Sequence, residues 1–247
     1  MKKILVGILA LTCLCATGCT EEMTKSTVDY SKYETEDVVT DTIDYTYYNI
    51  INAELAITGQ NDTTDYYYDT NVKPLTSTNE YSIINYISQS VGDFVAYNYV
   101  MFDGDNSALE SGHIAYTDDS DMPENAVLSV TLNVGDDQYS FYVSTGEWKT
   151  RDKKSSQVDD ISDLYANGTA TAQYTVKEID TGTELVMETI EYGDDSSACL
   201  FFDENGTLVA QGTYTTSAAT ITRTATVTDV DAEKLEEYIN AATGTDE

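Results

Sequence analysis

Histidine is nearly absent from the chain: there is one, His113. That excludes multi-histidine metal centres. A lone histidine in a predicted strand reads as structural rather than as the base of a catalytic triad. Cysteine is also scarce. Of 4 cysteines, Cys13, Cys15 and Cys19 lie at the extreme N-terminus, and only Cys199 lies beyond it. Loss of a leader ending at residue 18 and modification of Cys19 would leave no pair for an intramolecular disulfide. Cys199 sits in the apolar run Ala198-Cys-Leu-Phe-Phe202, which suits a buried structural thiol rather than a nucleophile. Basic residues are few: 12 Lys and Arg stand against 44 Asp and Glu, a formal charge of −32. Such a charge disfavours nucleic acid and anionic membrane surfaces as partners. It fits solubility outside the cell, divalent cations or a basic partner. With so many acids, any carboxylate pair for glycoside hydrolysis could be proposed, so none is informative. Nothing in the chain argues for an enzyme, and no cofactor is implied.

Apolar and aromatic residues are plentiful. Hydrophobic residues make up 41% and aromatic ones 11%, enough for a packed core and against global disorder. Tyrosine dominates, with 20 against 5 Phe and 1 Trp. It suits strands that are apolar on one side and wet on the other.

The N-terminus carries an address. Lys2-Lys3 is followed by an apolar run from Ile4 to Cys15, too short to span a bilayer stably and right for a signal peptide. It ends in Ala16-Thr17-Gly18-Cys19, which resembles a bacterial lipobox with alanine in place of the usual leucine. The expectation is cleavage after residue 18 and diacylglyceryl attachment at Cys19, which anchors the chain on the extracytoplasmic face of the cell membrane. Residues 19–41 read as a flexible acidic tether, 42–242 as a single domain and 243–247 as a frayed tail.

Between residues 36 and 58 the pattern supports two readings. Alternation from Ile43 to Ile57 predicts a strand, whereas Val39, Ile43, Tyr47, Ile50/Ile51 and Leu55 fit a helical stripe capped by Gly59. Asn61–Thr78 reads as loop, with Tyr66–Tyr68 as a short strand. Ile83, Ile84, Ile87 and Val91 predict a helix over 80–91, started by Asn79 and stopped by Gly92. Strands are expected at 93–102, 112–117, 126–134, 138–144 and 147–151, and a helix at 158–165. A meander then runs through Tyr174–Ile179, Glu184–Tyr192, Ala198–Phe202, Thr207–Tyr214 and Ala219–Asp229. Its first turns are marked by Asp180-Thr-Gly182, Gly193-Asp-Asp-Ser196 and Asp203-Glu-Asn-Gly206. Asp231 caps a closing helix over 231–242 whose apolar face is Leu235, Tyr238, Ile239 and Ala242.

The fold class is therefore mainly β with short helices. Gly146-Glu-Trp-Lys149 ends a strand ahead of a short helix, and Leu200-Phe-Phe-Asp-Glu-Asn-Gly-Thr-Leu-Val209 forms a hairpin. In this order they resemble the Gram-positive lipoproteins of LolA/LppX-like fold over about residues 80–230. The resemblance implies a strongly curved antiparallel sheet, an incomplete barrel with two or three covering helices. A β-sandwich is the competing architecture. It also implies a non-catalytic protein whose concave face holds a hydrophobic or lipid-like ligand, lined by Tyr97, Tyr99, Tyr139, Phe141 and Trp148, with Arg223. The alternative is a surface module that meets carbohydrate or protein through exposed tyrosines, Tyr142 included.

Other clusters are weaker. The acids of Asp103–Glu110 and of Asp118–Glu124 read as turns, with weak calcium binding the functional option. Lys149, Arg151, Lys153 and Lys154 form a basic patch that is either a solvated loop or a rim for an anionic head group. Arg223 shares the odd positions of its strand with Ile221, Ala225 and Val227. On the apolar side it needs a carboxylate, with Glu184, Glu188 and Glu191 the candidates, or a ligand's anionic head. A bulge that turns it outward is the third outcome.

Overall fold

A computed structural model of the chain describes residues 51, 53–87, 94–115, 125–151, 157–215 and 218–244. Strand β1 is Glu54–Asn61. A π-helical turn, Tyr68–Val72, runs directly into a short helix, Lys73–Thr76, and together they are α1. Strands β2 (Glu80–Ile87), β3 (Phe94–Asp103), β4 (Asn106–Ala115), β5 (Asn125–Val134), β6 (Asp137–Tyr142) and β7 (Glu147–Arg151) follow. Helix α2 is Gln157–Ala166. Then come β8 (Thr169–Glu178), β9 (Glu184–Tyr192), β10 (Ser196–Phe202), β11 (Leu208–Tyr214), β12 (Ala218–Thr224) and β13 (Thr226–Asp229), and helix α3 (Ala232–Thr243) closes the fold.

Among the described residues, the strands form two antiparallel sheets. In one, β1-β12-β11-β10-β9-β8 closes into a barrel, because β1 pairs with both β12 and β8. The other is an open sheet in the order β13-β2-β3-β4-β5-β6-β7. The expected class is present: mainly β, with curved antiparallel sheets and three short helices.

The meander folds as its turns dictate. Gly182, Gly193 and Gly206 all take positive φ, which only glycine adopts at little cost. At the β10–β11 turn, Gly206 stands at φ 77°, and Asp203 Oδ1 accepts from the amides of Asn205 (2.9 Å) and Thr207 (2.8 Å). Along β10 the side chains alternate. Cys199 and Phe201 point into the ring, and Ala198, Leu200 and Phe202 point out of it, yet all are buried. The ring interior is filled by Leu55, Val176, Met187, Phe201, Ala219 and Ile221, none of them exposed. The second core lies outside the ring wall. There α1 (Tyr68, Val72) and α2 (Ile161, Leu164, Tyr165) pack with Leu200 and Phe202 of the barrel and with Tyr81, Ile83 and Val100 of the open sheet. A buried carboxylate, Glu188, starts α1: it accepts from the amides of Tyr67 (2.7 Å) and Tyr68 (2.8 Å) and from Gln173 Nε2 (2.8 Å).

Four local expectations are corrected. The described part of 80–91 is strand β2, not helix. Tyr81 and Ile83 are buried on one face and Ser82 and Ile84 on the other, so a strand covered on both sides imitates a helical stripe. Asn79 is a turn residue at φ 59° rather than a helix start. Tyr66–Tyr68 leads into α1 instead of forming a strand. Strand β4 begins at Asn106, not 112, which draws Glu110 out of the acidic turn and into the sheet. Of the ambiguous segment, only Ile51 and 53–58 are described. Strand β1 occupies 54–58 and runs on to Asn61, and Gly59 sits beside a register shift rather than at a helix end. The single meander strand expected at Ala219–Asp229 is two. It leaves the barrel at Thr224, Ala225 donates its amide to Val209 O (3.1 Å), and β13 joins β2 in the open sheet.

Candidate binding face

Strand pairing lines up one row of side chains across the open sheet: Ile84, Tyr99, Glu110, Val130, Phe141 and Trp148. The next row on the same face runs Met101, Ala108, Leu132, Tyr139. Tyr97, two residues before Tyr99, shares that face. Five of the six expected ligand residues are thus brought together: Tyr97 and Tyr99 fully buried, Tyr139, Phe141 and Trp148 half-buried. Phe141 and Trp148 hold their ring centroids 5.5 Å apart.

The face is covered by the chain's own last helix. Asp231 Oδ1 caps α3 by accepting from the Lys234 amide (3.1 Å), and Gly244 ends it at φ 72°. Leu235, Tyr238, Ile239 and Ala242 then pack on the row, with the Tyr238 and Trp148 centroids 6.0 Å apart. At the centre lies Glu110, whose side chain has no exposed surface. Its carboxylate accepts from Tyr97 Oη at 2.6 Å and, by a short hydrogen bond, from Tyr238 Oη, and it pairs with Lys234 Nζ at 2.8 Å. Lys234 Nζ also stands 5.4 Å over the Tyr99 ring. Burying a carboxylate is tolerable only with such partners, and removing one is costly. Burial, followed by the charge of Glu110, pushes the Tyr238 phenol far above its ordinary value, so it stays a donor at every working pH. Burial also raises Tyr99, against the Ser82 hydroxyl, which lowers it.

Arg223 is not part of this face. The β11–β12 register shifts between Gln211 and Gly212, so that Gln211 pairs with Arg223 while Gly212 pairs with Ile221. Thr222 is the extra residue of a bulge, and it turns Arg223 to the outside of the ring, half-buried and close enough to Tyr165 to bias its phenol. No ion pair holds Arg223 among the described residues. Of its expected partners, Glu188 is engaged with α1, and Glu184 pairs with Lys177 (3.1 Å). The outward-turning bulge is the outcome realised.

The basic patch is partly tied down. Arg151 donates to Ser140 Oγ and to Tyr142 Oη, both at 2.8 Å, on the opposite face of the sheet. Lys149 is exposed, and Lys153 and Lys154 lie outside the described residues. Tyr142, on that opposite face, is the expected tyrosine left 44% exposed. Cys199 is buried and its thiol pushed up to about 12 by burial. Cys19, the Asp118–Glu124 acids and the His113 side chain lie outside the described residues, while the Asp103 carboxylate folds back on Asn106. Among the described residues, no group of three or more His, Cys, Asp or Glu could hold a metal ion, and no helix is long and apolar enough to cross a membrane.

From the sequence Glu110 reads only as part of an acidic turn and Tyr238 only as part of a helix face, and Lys234 does not stand out. The available signal was the alternation Ala108-Leu-Glu-Ser111. Once Ala108 faces inward, so must Glu110. Comparison with known proteins finds no matching family model and no matching curated protein.

Proposed function

We propose that the chain is a membrane-anchored, extracytoplasmic lipoprotein, held by acyl chains on Cys19 and similar to the LolA/LppX-like lipoproteins, and that it binds a hydrophobic ligand without catalysis. The inner face of the open sheet is the binding surface. One observation carries this reading: Tyr139, Phe141 and Trp148 form an aromatic group on one face that is only half-buried, beneath a helix at the end of the fold. Such a helix can be exchanged for a ligand more readily than any strand of the ring. Exposed tyrosines favour the surface-module alternative only if they form a strip, and Tyr97 and Tyr99 are buried.

Native mass spectrometry of the delipidated domain purified from its own host tests the binding. A copurified apolar molecule, lost on mild denaturation, is the expected result. A clean apo mass under conditions that retain lipids in control proteins sinks the reading. The anchor is tested separately. Cys19→Ala is expected to release the protein or leave its precursor uncleaved, and normal processing with unchanged membrane fractionation refutes lipidation.

A further inference from the structure

The helix that covers the binding face shows what chemistry the face accepts. Read from the sheet, the contact surface of α3 is an ammonium group, Lys234 Nζ, followed by the apolar Leu235, Ile239 and Ala242 and the Tyr238 ring. It is a cation on an apolar body. The sheet answers with Glu110 at the centre, Tyr99 under the cation and Phe141 and Trp148 along the body.

We propose that the inner face is a site for a small cationic amphiphile, an ammonium or guanidinium head on an apolar chain, with Glu110 as its counter-charge. This deepens the apolar-ligand reading and rests on it. The selectivity follows from the cost of burial. When α3 lifts, water reaches Glu110 and solvates it. A ligand that covers the face again removes that water. A neutral amphiphile then leaves a carboxylate buried without a counter-charge, held by Tyr97 Oη alone, and an anionic one sets a second negative charge beside it. Only a cation restores what Lys234 supplied, and Tyr99 adds an aromatic face suited to it. Lys234 is therefore a competitor built into the chain, whose departure a ligand must outbid.

Trp148 is the chain's only tryptophan and lies against α3, so its fluorescence reports the exchange. The test uses the full chain carrying Cys19→Ala, titrated below micelle formation with dodecylammonium, dodecanoate and dodecyl maltoside. Dodecylammonium is expected to give a saturable change and to bind at least about tenfold more tightly than the other two, the equivalent of one modest charge interaction. Lys234→Met, which removes the internal cation, is expected to tighten dodecylammonium binding further. Glu110→Gln is expected to erase the preference. Glu204→Gln removes the same unit of charge from an exposed turn and is expected to change nothing, which separates the site from the general attraction of an acidic protein for cations. Equal affinity for the three probes, or insensitivity to Glu110→Gln, overturns the charge assignment and leaves the apolar reading standing. No saturable response to any probe, in the parent or in Lys234→Met, overturns both. If Glu110→Gln fails to fold, Lys234→Met decides alone, since unchanged or weaker dodecylammonium binding refutes the competition.

Discussion

Among the described residues, six strands close a hydrogen-bond ladder on one another, while seven others stop at two edges. The ring shields its interior with backbone. Leu55, Val176, Met187, Phe201, Ala210 and Ala219 fill it without exposed surface beyond a trace, and the same core continues into Tyr97, Tyr99 and Leu132 of the open sheet. The open sheet shields its inner face with side chains from a separate helix, and the contact includes a buried ion pair. Removing any strand of the ring would break two ladders at once. Uncovering the sheet would cost one terminal helix, the kind of element drawn from the low end of a protein's stability range. The difference teaches where exchange can occur.

The ring should be the less forgiving half. A Cβ on Gly212 would lie 2.0 Å from Thr220 O, in the backbone of the next strand. Gly212→Ala is expected to cost roughly 3 kcal/mol or more, read as a global loss of melting temperature. A near-neutral melt would mean that the bulge at Thr222 yields, and the ring would be no stiffer than the sheet.

Gly206→Ala comes next. It combines φ 77° with a Cβ 2.7 Å from the Tyr67 ring and from Asn71 Nδ2, so about 2 kcal/mol is expected. The matched change in the open sheet is Gly135→Ala at φ 53°, where nothing lies within 4 Å, and about 1 kcal/mol is expected. Equal costs by denaturant titration would show that α1 does not press on the β10–β11 turn.

Between these lies Tyr238→Phe, which deletes one donor to Glu110. An expected loss of roughly 1.5 kcal/mol should fall on helix docking alone. Hydrogen exchange should rise in 232–243 while β8–β12 stay protected. A uniform rise would make the helix part of the global unit and end the contrast. The smallest effect is chemical. With its thiol raised to about 12, Cys199 should stay protonated and resist iodoacetamide through pH 9, and react only when the ring opens. The sign is fixed by burial, which disfavours the thiolate.

The same contrast explains how far the sequence could be read. The β8–β11 hairpins were legible because their turns demanded glycine at positive φ, and each turn fixed a strand on either side. Strand β2 was not, because a strand buried on both faces loses the alternation that identifies it. Spacing placed Tyr97 with Tyr99, and Tyr139 with Phe141, on one face of each strand, and only the resemblance joined the two pairs into one face. Its centre was not. An inward glutamate among 44 acids looks like any surface acid until the start of β4 is known. Arg223 misled for a related reason: parity counting assumes no bulge, and Thr222 inserts one. Helix α3 was legible as a helix, but nothing local to 231–242 says which sheet it lies on.

One continuous run, Ala218–Asp229, serves both sheets and changes allegiance at Ala225, which has no exposed surface. It works as a hinge pin that is also a seam. The upper half closes the ring between β11 and β1, and the lower half supplies the partner for β2. Neither sheet can be cut away as an intact module, because β2–β7 are inserted between β1 and β8 of the ring, and the open sheet takes its edge strand β13 from beyond β12. What looks in projection like a barrel beside a sheet is, along the chain, a single fabric, and α3 is the one flap sewn on at its hem.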